Sequence, residues 1–350
     1  MVVPPDMLGD PFGSHRVLEP SGALPQPAWR LDNDPGRRFE TEIHVAVETL
    51  NIDAASFRQL EAASGGNDER IAELVRKTVE ERGKQHNPVT GSGGMLIGRV
   101  TWVGKEAAAR GYSMGDRVAT LASLSLTPLA LGEVRAVRRT SAQIDVEGTA
   151  IVFLSAPLVR LPADLPERLA LAVCDVAGAA PQVDRHTGPG DRVVVLGAGG
   201  KSGLLSCAAA RRRVGAEGMV VGVEAAENYA NDLEGLALCA SVVRVDARRP
   251  LAVRDAVLEA TSGVEADVVI SCVNVDGVEP SAILLTRPRG KIYFFAMSTS
   301  FTAAALGAEG MSKDIDMFIG NGYAEGHADF TLDLVRSSPA LLAVLSRRYG

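Results

Sequence analysis

A chain of 350 residues is too long for one ordinary domain and long enough for two, each with its own hydrophobic core. Hydrophobic residues make up 46% and charged residues 23%, which is typical of a globular protein and excludes a disordered or fibrous one. The formal net charge of −7 includes no long run of one sign, so we expect neither a nucleic-acid-binding nor a membrane-binding surface.

The first half of the chain has the irregular pattern of a strand-rich domain. EIHVAVETL, residues 42–50, alternates apolar and polar side chains as a half-buried strand does. A polar helix is predicted near residues 67–82, and GRVTWVGKEA and MGDRVATLASLSL are typical of short strands joined by glycine turns.

The second half alternates apolar strands with amphipathic helices. After LPADLPERLA, where Pro and Asp signal a helix start, we predict strands at residues 192–197, 218–223, 241–245, 267–273 and 290–297. Near-continuous Val and Ile runs between helices indicate a parallel sheet covered on both faces. The predicted fold class is α/β, with a Rossmann doubly wound parallel sheet after the strand-rich domain. The pattern leaves the placement of the helical C-terminal residues open.

The spacing of the cysteines and the first residues of the sequence indicate the cellular compartment. Cys174, Cys207, Cys239 and Cys272 are far apart in sequence, which fits neither a zinc cluster nor a disulfide framework, so we expect small buried thiols. No apolar stretch reaches the roughly 18 residues that a membrane span needs. The start MVVPPDMLGD lacks the basic and apolar regions of a signal peptide. We expect a cytoplasmic protein.

A glycine-rich turn, GAGGKSG, follows the strand at 192–197 and opens a helix, which is the context that dinucleotide binding requires. Gly197 can supply the tight turn, Gly199 and Gly200 let backbone approach a pyrophosphate, and Gly203 allows helix and strand to pack closely. A triphosphate loop of the form GxxxxGK[ST] would need glycine at position 195, where the chain has Val195. A glycine turn without a ligand is the remaining alternative.

Glu224 stands at the end of the second strand of this domain. A carboxylate there can accept hydrogen bonds from the ribose hydroxyls and repels a 2′-phosphate, which favours NAD over NADP. A solvated Glu at a strand end is the alternative. The candidate cofactor-binding residues are Gly197, Gly199, Gly200, Lys201, Ser202, Gly203, Glu224, Cys272, Val273, Ala296 and Met297.

The order of the two domains resembles the medium-chain dehydrogenase/reductase superfamily, as do LNIDAAS, PVTGSGGMLIGRVTWVG, YSMGDRVATL and GAGGKSG. The resemblance implies a GroES-like catalytic domain, assigned here to residues 1–164, and a Rossmann domain at 165–308. Residues 309–350 are then expected to return to the catalytic domain. Zinc members carry a cysteine near the position of Asp53 and a His-Glu pair after the glycine that matches Gly91. This chain has Ser92 and Gly93 there, so we expect no metal.

Longer strings are more specific. SHRVLEPSGALPQPAWRLDND, LNIDAASF, GKQHNPVTGSGGMLIG, LGAGGKSGLL and GNGYAEGHADFTL are similar to the L-erythro-3,5-diaminohexanoate dehydrogenase family. The resemblance implies NAD-dependent oxidative deamination in lysine fermentation, in which the 3-amino group is oxidised to give 5-amino-3-oxohexanoate, ammonia and NADH.

This chemistry needs a base. Hydride leaves a carbon bearing an amine only when the amine is neutral, and water must then attack the iminium so that ammonia is expelled. His86, beside the glycines that approach the cofactor in the superfamily, is the first candidate. Lys84 is the second, because a buried lysine can lose its proton near neutral pH. Either residue could instead hold loop backbone together. His15, His44 and His186 are expected to be structural.

The implied substrate carries two ammonium groups and one carboxylate, so its pocket needs carboxylates and a cation. Asp53 is the leading catalytic-site carboxylate, with a helix N-cap as the alternative role. Glu325 is a candidate for the far ammonium, and Lys84 or Arg16 for the carboxylate. The other substrate-binding candidates are Asn51, Ser56, Ser92 and His327.

Three functions stay open: the amine-oxidising dehydrogenase, a zinc-independent NADPH quinone or enone reductase, and a dinucleotide-binding protein without catalysis. Glu224 argues against the NADPH enzyme. Clustering of Asp53, Lys84 and His86 at the nicotinamide would argue against the non-catalytic protein, and their dispersal would favour it. Superfamily members commonly dimerise by joining the edges of their Rossmann sheets, so GKIYFFAM near the sheet edge predicts a homodimer.

Overall fold

The computed structural model describes residues 7–88, 91–320 and 322–350. Val89, Thr90 and Asn321, which fall within GKQHNPVTGSGGMLIG and GNGYAEGHADFTL, lie outside the described residues. The chain divides into a first unit ending at Pro162 and a second unit, Ala163–Gly350. Among the described residues no helix is long and apolar enough to cross a membrane.

The first unit is built on antiparallel strands, as its pattern predicts. Its strands are β1 (Val17–Glu19), β2 (Arg30–Leu31), β3 (Glu42–Asn51), β4 (Met95–Val103), β5 (Arg117–Thr120), β6 (Leu129–Arg138), β7 (Gln143–Phe153) and β8 (Leu158–Arg160). Six of them form one sheet in the order β6-β7-β3-β4-β5-β8, and β1 pairs with β2 separately. Strand β3 lies at the centre, and it is buried along most of its length rather than on one face.

Two helices of the first unit follow β3: α1 (Ala54–Ser64) and α2 (Asp68–Arg82). Helix α2 confirms the prediction for residues 67–82. It begins where the Asn67 side chain accepts a backbone hydrogen bond and ends at Gly83, whose φ of 66° suits glycine. Its buried face repeats every fourth residue, at Ile71, Val75 and Val79.

A buried carboxylate, Glu42, organises the start of β3. Its oxygens accept hydrogen bonds from the Arg16 guanidinium at 2.7 and 2.9 Å and contact His15 and His44 at 2.8 and 3.2 Å. Burial alone would raise the pKa of Glu42, but these partners outweigh it and hold the pKa well below its usual range. Arg16 is fully buried in this cluster. Its proposed role at a substrate carboxylate is therefore wrong, because Glu42 already engages its guanidinium.

The second unit contains the predicted Rossmann sheet. Its strands are β9 (Arg192–Leu196), β10 (Met219–Val223), β11 (Ser241–Val243), β12 (Ala266–Ser271), β13 (Thr286–Phe294) and β14 (Asp316–Ile319). All neighbours are parallel, in the order β11-β10-β9-β12-β13-β14. Strands β9, β10 and β11 follow one another toward one edge of the sheet, and β12, β13 and β14 follow one another toward the other edge. Doubly wound folds bind ligands where these two series meet, which is here between β9 and β12.

The predicted return of residues 309–350 to the catalytic domain needs correction. The helices of the second unit are α3 (Glu167–Cys174), α4 (Ala179–His186), α5 (Lys201–Val214), α6 (Glu227–Gly235), α7 (Pro250–Ala260), α8 (Glu279–Leu285), α9 (Phe301–Gly310), α10 (His327–Arg336) and α11 (Pro339–Tyr349). The final segment supplies β14 to the Rossmann sheet, and α10 and α11 pack against α3. Residues 309–350 therefore belong to the second unit. The backbone of β14 needs hydrogen-bond partners, and it finds them on β13.

Candidate functional site

The predicted dinucleotide turn, residues 197–200, joins β9 to α5 in the second unit. The backbone N–H groups of Gly197 and Ala198 both donate to the carbonyl oxygen of Val223, which ties the turn to the end of β10. Gly197 has φ 72°, a conformation that favours glycine. Gly200 is the N-cap of α5 and makes no side-chain cap hydrogen bond. The first amides of this helix can therefore receive an anion.

The glycines of this segment differ in what a side chain would meet. A Cβ at Gly203 would lie 2.1 Å from the Gly197 carbonyl oxygen, so this glycine is required for helix and turn to pack, as predicted. A Cβ at Gly199 would lie 2.6 Å from Cβ of Tyr229, so packing rather than ligand approach explains that glycine. At Gly200 the nearest atom is the Gly197 oxygen at 3.5 Å, an ordinary contact. Of the three, only Gly200 could carry a Cβ without a close contact to the chain, so packing does not explain this glycine.

Glu224 follows β10 and contacts the turn directly. Its Oε2 accepts from Gly199 N at 3.0 Å, and its Oε1 accepts from Ala226 N at 2.9 Å. Each carboxylate oxygen can accept a second hydrogen bond, so ribose hydroxyls remain possible partners. Glu224 therefore also has a structural role in holding the turn.

Residues after the neighbouring strands complete this edge of the sheet. Cys272 N donates to the Leu196 carbonyl, and a Cβ at Gly197 would lie 3.0 Å from Val273 Cγ2. Ala296 N donates to the carbonyl of Ser271, and Met297 is 90% exposed. The structure thus places these four predicted residues just after β12 and β13, with Val273 next to the turn.

Two predicted contacts have other partners. Lys201 Nζ lies 2.6 Å from Asp175 Oδ2, so an ion pair partly neutralises it. Cys272 Sγ lies 3.6 Å from Ser206 Oγ, and Ser202 also hydrogen-bonds to it. Burial raises the pKa of Cys272 to about 11, so its thiol is not a nucleophile near neutral pH.

An arginine from the end of the chain, Arg348, also reaches the turn. Arg348 Nη1 donates to the Gly199 carbonyl at 2.6 Å, and both Arg347 and Arg348 pair with Asp232 on α6. The residues around Glu224 in the sequence, VVGVEAAENYA, include no basic side chain, and neither arginine was expected near it. The contact joins residues 149 positions apart, and no local motif announces it.

In the first unit, glycines bring the predicted catalytic segments together. A Cβ at Gly93 would lie 2.2 Å from the Gln85 carbonyl oxygen, and one at Gly94 would lie 2.2 Å from that of Asn51. Residues 51–53, 85–87 and 92–94 therefore lie together in one region. At Gly93 and Gly94 the neighbouring backbone is too close for any side chain.

Three buried polar atoms in this region lack hydrogen-bond partners within the described part of the chain: Asp53 Oδ2, Gln85 Oε1 and His86 Nδ1. Leaving such an atom unsatisfied costs free energy, so each of these atoms is suited to a polar group that the described residues do not supply. Asp53 Oδ1 meanwhile accepts from Ser56 N at 2.9 Å and caps α1. Asp53 therefore fills the N-cap role and still presents a second oxygen.

The two candidate bases differ in their surroundings. Burial, then Lys84 and Arg82, lower the pKa of His86, which keeps its imidazole neutral at pH 7. Lys84 is fully buried, and its Nζ donates to the carbonyls of Pro25 and Gln26 at 2.7 and 3.0 Å. Burial lowers the Lys84 pKa to about 8, whereas these carbonyls favour its charged form. Lys84 is better suited to anchoring that loop than to removing a proton.

The remaining substrate candidates lie in both units. Asn51 ends β3, and Gln143 Nε2 donates to its Oδ1 at 3.3 Å, while the Ser92 hydroxyl accepts from Gly94 N at 3.3 Å. Glu325 is exposed in the second unit. His327 is buried at the start of α10 with its ring 5.1 Å from that of Tyr323, and burial lowers its pKa. Neither Glu325 nor His327 belongs to the cluster in the first unit.

Metal ligation was not expected. Within residues 7–88, 91–320 and 322–350 no group of three or more His, Cys, Asp or Glu side chains has metal-binding geometry. The predicted absence of zinc stays a prediction.

Comparison with known proteins extends these observations. Residues 15–162 match the family model described as the L-erythro-3,5-diaminohexanoate dehydrogenase N-terminal domain. The L-erythro-3,5-diaminohexanoate dehydrogenase of Acetoanaerobium sticklandii is 45% identical over 344 residues, covering 98% of this chain and 100% of that protein. The enzyme of the same name from Fusobacterium nucleatum subsp. nucleatum is 45% identical over 342 residues, covering 97% and 99%.

Solved structures show the fold. The CurK enoyl reductase aligns with a TM-score of 0.53 at 17% identity, covering 88% of this chain and 78% of its own. The Escherichia coli quinone oxidoreductase complexed with NADPH aligns with a TM-score of 0.52 at 18% identity, covering 86% and 80%. These likenesses confirm the predicted fold class.

Proposed function

Because the chain belongs to the L-erythro-3,5-diaminohexanoate dehydrogenase family, we propose that it oxidatively deaminates L-erythro-3,5-diaminohexanoate to 5-amino-3-oxohexanoate and ammonia, with NAD as oxidant, in lysine fermentation. The observation that carries the proposal is 45% identity over nearly the full length of two relatives that bear this name. Dehydrogenase activity follows from the family. The substrate, the products and NAD rather than NADP are the proposal.

The glycine turn supports a nicotinamide dinucleotide. Residues 197–200 end in a helix N-terminus without a side-chain cap, and Gly200 offers backbone with no Cβ in the way. When bound, the dinucleotide accepts hydride from the substrate carbon. Glu224 favours NAD, because its carboxylate would lie near a 2′-phosphate of NADP. Arg347 and Arg348 do not reverse this preference, since both are paired with Asp232.

His86 is the proposed base. Its lowered pKa leaves the imidazole neutral, and Nδ1 is buried with no hydrogen-bond partner in the described residues. It would take one proton from the 3-ammonium group, so that the neutral amine can release hydride. A water molecule would then attack the iminium carbon, and the C–N bond would break to release ammonia. Once the imidazolium has passed the first proton to solvent, the same imidazole would take a proton from the attacking water and return it to the amino nitrogen, so that ammonia leaves and the ketone forms.

Asp53 is the proposed carboxylate for a substrate ammonium. Its Oδ1 is used by the cap of α1, whereas Oδ2 is buried and unpartnered in the described part of the chain. A charge-assisted hydrogen bond from an ammonium would satisfy that oxygen. Ser92 and Asn51 border the same region through Gly94.

A substrate comparison tests this function. The purified protein should produce NADH from NAD at alkaline pH with 3,5-diaminohexanoate, and should release ammonia in equal amount. Simple alcohols should give no NADH, and quinones or enones should not consume NADPH. NADPH-dependent reduction of a quinone would favour the function of the distant structural neighbour. Cofactor binding without turnover of any of these substrates would favour a non-catalytic dinucleotide-binding protein.

The proposal also includes a homodimer in the cytoplasm. The edge strand of the Rossmann sheet is β14 rather than the GKIYFFAM strand β13, which lies one position inside it. Met317 and Ile319 on β14 are 36% and 68% exposed. An unpaired parallel edge with exposed apolar side chains is suited to pairing with a second copy. Sedimentation should give twice the chain mass, and Ile319→Lys should give the monomer mass.

A further inference from the structure

Gly199 is held by side chains at both of its polar backbone groups. Its N–H donates to Glu224 Oε2 at 3.0 Å, and its carbonyl accepts from Arg348 Nη1 at 2.6 Å. Glycine has the widest conformational freedom of any residue, and these bonds restrict both peptide groups that flank the Gly199 Cα. The carbonyl belongs to the peptide group that links Gly199 to Gly200, where an added Cβ would make only an ordinary contact.

The Arg348 side chain is itself fixed from several sides. Its Nε donates to Asp232 Oδ2 at 2.9 Å, Nη2 bonds the same oxygen, and the guanidinium lies 4.4 Å from the centre of the Tyr229 ring. Only 10% of the side chain is exposed. A planar guanidinium with this many partners keeps one orientation, which a flexible lysine ammonium does not.

We infer that Arg348 is a positioning residue for the dinucleotide: it fixes the Gly199 peptide so that the Gly200 backbone and the start of α5 are already arranged to receive the pyrophosphate. The inference rests on the proposed function. A turn that is ordered before binding loses less conformational entropy when the ligand arrives, so its affinity is higher. The end of α11 thereby becomes part of the cofactor site without touching the reacting atoms.

The neighbouring arginine offers a matched control. Arg347 pairs with the same Asp232, from the other carboxylate oxygen, but its side chain is 62% exposed and makes no hydrogen bond to the turn among the described residues. Arg347→Met therefore removes one positive charge and one ion pair from the same helix end. Arg348→Met removes the same charge together with the bond to Gly199 and the contact with the Tyr229 ring.

The experiment measures the dissociation constant of NADH by calorimetry for the wild type, Arg348→Met and Arg347→Met, with thermal melting to verify folding. Arg348→Met should raise the dissociation constant about 5-fold to 30-fold, as expected for one well-placed hydrogen bond, whereas Arg347→Met should change it by less than about twofold. In turnover assays Arg348→Met should raise KM for the cofactor and leave kcat at saturation within about twofold. Hydrogen exchange of peptides that contain residues 197–203 should be faster in Arg348→Met only.

If Arg348→Met does not fold, Arg348→Lys replaces it, because lysine keeps the charge beside Asp232 but lacks the fork that also reaches Gly199. An unchanged dissociation constant in a folded Arg348 variant overturns the inference, and so does an equal loss in Arg347→Met. A wild-type protein that binds neither NADH nor NADPH instead overturns the proposed function, so the two failures are distinguishable.

Discussion

Replacing Gly200 with alanine separates cofactor binding from folding. Gly200 has φ −71° and ψ 173°, which any L-residue adopts, and the added Cβ would meet only the Gly197 oxygen at 3.5 Å. Alanine is a poorer N-cap than glycine, which lowers the free energy of unfolding by about 1 kcal/mol or less. Alanine also restricts the unfolded chain, which raises the free energy of unfolding by about 0.4–1 kcal/mol. The free energy of unfolding should therefore change by about 1 kcal/mol at most.

The same methyl group should interfere strongly with a phosphate that lies against the backbone. Extra atoms in a packed contact typically cost about 1–3 kcal/mol, which corresponds to a dissociation constant about 5-fold to 150-fold higher. Gly203→Ala provides the contrast, because its Cβ would lie 2.1 Å from a backbone oxygen and should destabilise the fold itself. Gly235→Ala is the neutral control, since nothing lies within 4 Å of its Cβ.

Calorimetric titration with NADH and thermal melting of the three variants give the required numbers. Wild-type affinity in a folded Gly200→Ala would refute the reasoning, because the pyrophosphate would then not approach this backbone. Unchanged melting of Gly203→Ala would refute the packing argument separately.

The remaining predictions concern charge and protons. Glu224→Gln keeps an acceptor for Gly199 N but removes the negative charge. The preference for NAD over NADP in binding titrations should therefore fall by about tenfold, the size expected for one carboxylate near a phosphate in water. An unchanged ratio of the two affinities would mean that Glu224 does not face the 2′-position. Asp53→Asn keeps the cap of α1 and should raise KM for the diamino acid. His86→Gln should lower kcat about 100-fold to 10,000-fold. The affinity for NADH should stay constant in both variants. Because burial lowers the His86 pKa, the decrease of kcat/KM on the acid side should lie at a lower pH than an ordinary histidine would give. A decrease centred above the ordinary histidine pKa would assign the proton transfer to another group. Exhaustive chelation should leave activity intact, and loss that zinc alone restores would contradict the metal-free assignment.

The sequence by itself determined the features that depend on local pattern. The Val-rich strands β9 and β10, the glycine spacing of residues 197–203 and the position of Glu224 at a strand end follow from a few consecutive residues. Side-chain periodicity and backbone sterics act over that range, so these elements could be predicted. Helix α2 was predicted for the same reason, since Asn67 and Gly83 mark its ends.

Only the tertiary structure decided which distant groups meet. Strand β14 is short and largely exposed, and its apolar run of Met317, Phe318 and Ile319 is too short to distinguish a strand from a loop, so pairing with β13 decides its conformation. The contacts of Arg348 with Gly199, of Lys84 with the carbonyl of Pro25 and of Arg16 with Glu42 each depend on chain segments that folding brings together. Such pairings leave no periodic trace in the sequence, because a hydrogen bond requires a distance and a direction between two groups and not a spacing along the chain.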